Sequence, residues 1–335
     1  MGAAEAFIRG YWQTPDLTTL LRVLARNRAA IEQLDRGVTR LVKPIHRIGH
    51  AIKRNTIQGS RRNILAHYDL SNEFFASFLD PTMTYSSGIF ASPAATMEQA
   101  SYFKFNRLCH HLALSPSDHL LEIGTGWGGL AIYVARKFGC RVTTTTISIE
   151  QYQFAKAKVA EAGLSSQVTV LKEDYRKLKG NFDKLVSVEM IEAVGREYLG
   201  TYIAKCDSLL KPGGRFALQM ITIPVEREQA YHDNVDFIQR YIFPGGCLPS
   251  LESFLEAVSQ RSCLSLFRVD ELGSHYAETL ARWRGRFEEN IEQIHALGMT
   301  EDIIRTWRYY FAYCEAGFLE EMIGLKQLLL LKPSA

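Results

Sequence analysis

The sequence predicts an α/β protein built on a doubly wound, mostly parallel sheet. Two observations carry this. First, a short apolar run (Leu120, Leu121, Ile123) enters the Gly-rich turn Gly124-Thr125-Gly126-Trp127-Gly128-Gly129. A stretch with helical spacing follows, residues 130–138, and stops at Gly139. Second, four more strand–helix steps follow in order, one of them closed by the turn Lys211-Pro212-Gly213-Gly214. Glycines let a backbone approach a ligand where a Cβ would collide. The N-terminus of the helix behind them offers unpaired N–H groups.

Taken in order, residues 1–62 form a basic helical segment unlike the rest. Residues 2–10 have helical spacing. Pro15-Asp16-Leu17 opens a second helix with Leu17, Leu20, Leu21 and Leu24 on one face. From Leu20 to Arg62 there are eleven Lys and Arg against Glu32 and Asp35 alone, a net charge of +9, while residues 63–335 carry −5. Such a segment is expected to attract anionic lipid headgroups, each basic residue contributing about 1 kcal/mol near the surface. A solvated linker is the plain alternative. No recognition motif accompanies the charge, so nucleic acid is not an expected partner.

Residues 63–335 read as one domain. In His67-Tyr68-Asp69-Leu70-Ser71-Asn72-Glu73-Phe74-Phe75, Ser71 is placed to cap a helix carrying Phe74, Phe75, Phe78 and Leu79, which Asp80-Pro81 ends. Residues 82–90 are irregular, polar and aromatic, and residues 96–114 form a helix. Strands are expected at residues 141–147, 168–171, 181–188 and 215–221, with helices at 149–162 and 197–210. Residues 224–249 interrupt the sheet. Residues 264–272 and 325–331 read as two final strands. Between them, residues 276–297 and 300–322 form two long helices rich in aromatic residues, including Trp283, Phe287, Trp307, Tyr310 and Phe311. Each ring alone fits ordinary core packing. Together, over the strand ends, they are placed to line an acyl tunnel.

Composition excludes several classes. The chain has 335 residues, 47% hydrophobic and 22% charged, and a net charge of +3. No apolar run approaches the ~20 residues of a membrane span, and no signal peptide opens the chain. Six scattered cysteines without a CxxC pair suit reduced thiols rather than disulfides or a metal site. These features predict a cytoplasmic protein, peripheral at the inner membrane surface if the basic segment binds lipid. A homodimer is compatible with the sequence, which contains nothing that decides it.

The spacing Glu122-x-Gly124-x-Gly126-x-Gly128 departs from the G-x-G-x-x-G dinucleotide fingerprint. It resembles motif I of class I S-adenosylmethionine (SAM) methyltransferases. HYDLSNEFF, LDPTMTYSSGIF, LEIGTGWGGLA, FDKLVSVEMIEAVG, DFIQRYIFPGGCLPS, SHYAETLARW and YYFAYCEAGF extend the likeness. Over about residues 60–332 the chain resembles the cyclopropane-fatty-acyl-phospholipid synthase family, which includes mycolic acid cyclopropane synthases. The resemblance implies a class I SAM-methyltransferase (Rossmann-like) fold: a seven-stranded sheet with helical insertions at about 224–249 and 273–322. It implies transfer of the SAM methyl group to the double bond of an unsaturated acyl chain of a phospholipid at a membrane surface.

An isolated alkene is a poor nucleophile, so the site must press it against the sulfonium methyl in line. Transfer leaves a carbocation, which needs nearby negative charge or π faces and no water. A base must then remove a proton from the new methyl group to close a cyclopropane ring. The resemblance implies a bound bicarbonate as that base, held by Glu192, Tyr276 and the backbone around Ser87 and Ile221, with Cys314 near the site. For SAM it implies Tyr85, Ser86, Glu122, Gly124, Gly126, Gly128, Gln151, Asp174 and Tyr175, with Thr146 and Ile147 at the ribose. An acid followed by an aromatic ring, Asp174-Tyr175, suits the adenine amino group and face.

Two departures bear on the product. Ser87 stands where many family members have cysteine, and Gln219 where many have a histidine that helps hold bicarbonate. Gln donates and accepts hydrogen bonds but never becomes cationic. A third, Thr125 for cysteine, is silent. The expected product is a cyclopropane. The alternative from the same site is a methyl- or methylene-branched chain, and a second alternative is N-methylation of a small amine.

Overall fold

The computed structural model describes residues 2–27 and 70–334. The basic residues beyond Arg26 and the opening His67-Tyr68-Asp69 lie outside the described residues. The seven strands run in the order β3-β2-β1-β4-β5-β7-β6. They are β1 (His119–Ile123), β2 (Arg141–Thr146), β3 (Val168–Lys172), β4 (Phe182–Val188), β5 (Leu210–Thr222), β6 (Ser265–Glu271) and β7 (Gly324–Leu331). The first five are parallel, and β7 runs antiparallel between β5 and β6. The chain order reverses between β1 and β4, which opens a crevice at their C-terminal ends.

Period-two alternation in the strands sorts the core into two layers. Leu121, Ile123, Leu185, Phe216 and Leu218 face Tyr202, Ile203 and Phe254. Leu120, Val186 and Ala217 face Phe105, Leu108, Leu130 and Val134 on the other side. These partners lie on α4 (Met97–Leu112), α5 (Gly129–Phe138), α7 (Leu199–Leu209) and α9 (Leu251–Arg261); α6 (Ile149–Glu161) packs on β2 and β3, and α8 (Val225–His232) beside α9. Caps fix several starts. Thr96 and Gln99 form a reciprocal capping box on α4, and Ser148 and Ser250 accept from the first turns of α6 and α9.

Before α4 lie α1 (Gly2–Ile8), α2 (Leu17–Arg26) and α3 (Asn72–Ala76); after β6 come α10 (Gly273–Glu289), α11 (Ile291–Ala296) and α12 (Glu301–Leu319). Two expectations are corrected here. The helix capped by Ser71 stops at Ala76, short of Asp80-Pro81. Asp80 instead accepts from the Thr82 N–H at 3.0 Å and from Ser101 at 3.2 Å. The helix expected over 276–297 breaks at Asn290, whose side chain donates to the Ser77 carbonyl at 2.8 Å. The N-terminal helices α1 and α2 pack against α12. Arg305 lies over the Phe7 ring and donates to the Phe7 and Trp12 carbonyls at 2.6 and 3.0 Å. Thr18 donates to Glu315 at 3.0 Å, and Arg22 and Arg26 pair with Glu320. Phe7 and Leu21 thereby join the aromatic cluster of the insertion.

That cluster is the third core. Phe78 is fully buried and meets Phe74, Phe75, Tyr85, Trp283, Phe287, Trp307 and Phe311 ring to ring. No helix among the described residues is long and apolar enough to cross a membrane. Truncating Phe78 leaves a void among rings that cannot all shift, so Phe78→Ala is expected to destabilise the fold by about 3–5 kcal/mol in urea titration.

Candidate active site

A cavity of about 1440 Å³ opens at the crevice. It exceeds the ~300–1,000 Å³ of an ordinary small-ligand pocket, so it holds room for two substrates. Its floor is the Gly-rich turn after β1. Gly124 and Thr125 donate to the Thr145 carbonyl at 3.1 and 3.0 Å, which pins the turn to the end of β2. Gly128 caps α5 at φ 92°, and a Cβ there would lie 3.1 Å from that of Ala155. Gly126, also at positive φ, faces open space.

Around the floor stand most residues the sequence assigns to the methyl donor. Glu122 is buried and accepts from Thr144 at 2.6 Å; burial pushes its carboxyl up to about 8. Thr146 donates to Gln151 at 2.8 Å, and Ile147 lines the same wall. Asp174 is more engaged than expected. Burial pushes its carboxyl up, but the side chain and N–H of Arg176 outweigh this and hold it below the usual carboxylate range. The Tyr175 ring packs edge-on against Tyr202 at 5.3 Å, and its buried hydroxyl has no partner among the described residues. Tyr85 donates to the Tyr310 hydroxyl at 3.0 Å, and Ser86 accepts from the fully buried Lys104 at 2.6 Å.

The deepest part of the site centres on a residue the sequence reading missed. Glu189 follows β4 with φ 48° and is held by a hydrogen bond from its N–H to the Gln219 carbonyl at 2.8 Å. Its carboxylate receives Tyr276 Oη at 2.7 Å, Gln219 Nε2 at 2.6 Å and the Ser87 N–H at 3.0 Å. The Ile221 N–H goes to Glu192 at 2.6 Å. The Tyr276 hydroxyl and the Ser87 and Ile221 N–H groups, which the resemblance assigns to bicarbonate, are thus engaged by protein carboxylates, as is Gln219. Tyr276 pairs with Glu189, while Glu192 stands beside them with Oε2 unpartnered among the described residues. The signal for Glu189 was the sequence itself: two glutamates three residues apart in EMIEAVG, of which only the second matched a known role.

Electrostatics separate the two carboxyls. Burial, and then the Glu189 charge, push Glu192 up to about 8, so it is neutral at pH 7. Burial also raises Glu189, opposed by Lys104, Tyr276, Gln219 and Ser87. Burial brings Lys104 down to about 8 against the pull of Glu189 and Asp80, which leaves it largely cationic at pH 7. Three donors and a cation favour the anion on Glu189. Cys314 lines the cavity, and burial pushes its thiol far up, so it is a neutral wall atom rather than a thiolate.

Comparison with known proteins places the arrangement. The sequence model of the mycolic acid cyclopropane synthetase family matches residues 55–328. The chain belongs to the cyclopropane synthase family. It is 38% identical to tuberculostearic acid methyltransferase UfaA1 of Mycobacterium tuberculosis over 99% of this chain and 79% of that one. It is 34% identical to cyclopropane-fatty-acyl-phospholipid synthase of Escherichia coli K12, over 98% and 82%. Mycolic acid cyclopropane synthase CmaA1, solved with SAH and CTAB, superposes with TM-score 0.76 at 30% identity over 81% of this chain and 98% of that one. Coclaurine N-methyltransferase superposes over 99% of both chains with TM-score 0.74 but 20% identity, which shows a shared fold alone. As a cyclopropane synthase family member, the protein is a SAM-dependent methyltransferase acting on lipid acyl chains.

Two outcomes test the donor site. Gly128→Ala places a Cβ against Ala155 at a φ that disfavours it, and is expected to weaken SAM binding at least about tenfold by calorimetry. Glu122 carries a carboxyl raised from 4.5 to about 8, so the folded state holds its proton while the unfolded state releases it. Stability is full below the lower value and falls as pH rises toward the upper one. Glu122→Gln removes that loss, so its melting temperature is expected to rise relative to wild type as pH goes from 5 to 8.

Proposed function

We propose that the protein transfers the methyl group of SAM to the double bond of an unsaturated fatty acyl chain of a phospholipid and yields a methylene-branched chain. The observation that carries this is the Glu189 carboxylate, seated among the donors otherwise assigned to bicarbonate. Bound SAM supplies an electrophilic methyl group. The cavity wall holds the alkene against it, with Tyr85, Tyr276 and Tyr310 as π faces that exclude water. Methylation of one alkene carbon leaves the positive charge on the other. Glu189 is the anion facing that charge, while Glu192 stays neutral and avoids a second buried negative charge.

Two outcomes compete from there. Direct loss of a methyl proton closes a ring. A 1,2-hydride shift first moves the cation to the methylated carbon, and transfer of a methyl proton to the Glu189 carboxylate, with the C–H electron pair becoming the new π bond, then gives an exocyclic C=CH2 with one unsaturation retained. A carboxylate fixed by three hydrogen bonds cannot follow the methyl group as a free ion can, which favours the shift. The 38% identity to a tuberculostearic acid methyltransferase supports the branched product over the cyclopropane that the sequence reading preferred.

Expression in a bacterium lacking cyclopropane lipids, followed by mass spectrometry of its fatty acids, tests the reading. The expected product gains one CH2 and keeps a double bond; a cyclopropane gains one CH2 and loses it. Glu189→Gln is expected to lower kcat by about 100-fold or more while SAM affinity stays within about twofold. Wild-type turnover is expected to be the same with and without added bicarbonate. A strict bicarbonate requirement would overturn the role given to Glu189.

A further inference from the structure

A row of polar side chains runs from Glu189 to the edge of the sheet. Gln219 on β5, Gln327 on β7 and Asp270 on β6 are register partners, so they share one face. Gln219 and Gln327 are both buried, among apolar neighbours such as Ala217, Leu325 and Leu329 two positions along their strands. Arg107 of α4 closes the row from outside the cavity. Its Nε donates to Gln327 Oε1 at 3.1 Å, and its guanidinium pairs with Asp270 at 2.8 Å. Gln327 Nε2 donates to Gln219 Oε1 at 2.8 Å, and Gln219 Nε2 donates to Glu189 Oε1 at 2.6 Å. The two glutamines give the fold little that apolar side chains of similar shape would not. Their use lies in where the line of amides ends.

The direction of this line is forced. An arginine has donors only, so Gln327 turns Oε1 to Arg107 and Nε2 to Gln219. Gln219 must then accept on Oε1 and donate from Nε2. We propose that Arg107 and Gln327 are positioning residues that fix the direction of the amide line, so that Gln219 meets the Glu189 carboxylate only as a donor. This rests on the role given to Glu189 above and adds what keeps it a base. Released from the line, the Gln219 amide is free to turn Oε1 to the carboxylate, and an acceptor there favours the protonated acid. The line also chooses between the two carboxylate oxygens. Oε1 receives Gln219 Nε2 and the Ser87 N–H, neither of which can accept. Oε2 meets the Tyr276 hydroxyl, which can rotate and accept, so the proton taken from the methyl group is held on Oε2. Among the described residues, the charged and titratable groups that face Glu189 are Lys104 of α4, Glu192, Tyr276 of α10 and Tyr310 of α12, none of which belongs to the line.

The test measures kcat against pH for the full chain, with SAM and an unsaturated phospholipid at saturation. Gln327→Glu keeps the shape but offers only acceptors. It takes hydrogen bonds from both Arg107 and Gln219 Nε2, which turns Gln219 Oε1 to Glu189. The acid limb of its profile is expected to move up by about one pH unit, a roughly tenfold loss of kcat below the limb, with the plateau at higher pH within about twofold of wild type. SAM affinity and the KM for lipid are expected to stay within about twofold. Gln327→Met adds no charge and suits an apolar face. It is expected to move the limb the same way by about half a unit, and it carries the test if Gln327→Glu fails to fold. A folded variant whose profile superposes on wild type would overturn the proposal. So would a fall in kcat by one factor at every pH, which would leave the row a structural role. Glu189→Gln, measured beside them, separates the two readings. Full turnover by that variant would overturn the role of Glu189 itself, whereas its loss together with an unshifted Gln327→Glu limb would overturn the amide line alone.

Discussion

The site depends on one buried carboxylate and the donors that surround it. Glu189 draws together four segments distant in sequence: the loop before α4 through Ser87, the end of β4 through its own backbone, β5 through Gln219, and α10 through Tyr276. The hydrogen bond from Gln327 to Gln219 at 2.8 Å extends the same chain of contacts into β7. Burying an anion is costly unless it is paired and hydrogen-bonded. Here the pairing is distributed, so removing any partner loosens a junction between the sheet and its aromatic insertion.

Charge balance follows from that junction. Lys104 enters from α4 and is anchored to Ser86, which puts a cation behind the carboxylate without filling the cavity. Burial, and then the charge beside it, keep Glu192 neutral. The result is a cavity whose inner end holds the Glu189 carboxylate among aromatic and aliphatic walls, which in the function proposed above faces a hydrocarbon that becomes positive only during the reaction.

The sheet was legible because its signals are local. Alternating strands, Gly-rich turns and capping serines specify elements within a few residues, and all seven strands and the antiparallel finish followed. That Gly124, Gly126, Thr146 and Gln151 line one cavity was legible for the same reason, since they sit at strand ends or in the helix turn that follows, in a fixed order. What escaped depended on contacts across hundreds of residues. Helix α2 reads as one end of a basic, solvated segment until Arg305 and Glu320 hold it over the cavity, where Leu21 and Leu24 become wall. The break at Asn290 follows from the Ser77 carbonyl, which no helical periodicity contains. Glu189 escaped because its role depends on what Tyr276, Gln219 and Ser87 do together.

The backbone at Glu189 adds a last consequence. A residue with a side chain at φ 48° occupies the left-handed region at a cost of roughly 1 kcal/mol relative to glycine. Glycine would relax the chain there and remove the anion from the cavity. Selection for folding alone would favour the relaxed backbone, and selection for chemistry favours the charge. On the role proposed for Glu189, thermostabilising this protein by the usual relief of backbone strain trades away activity at this position, and a search for tolerated stabilising substitutions should begin at the positive-φ positions outside the cavity, such as Ala113 and Glu321.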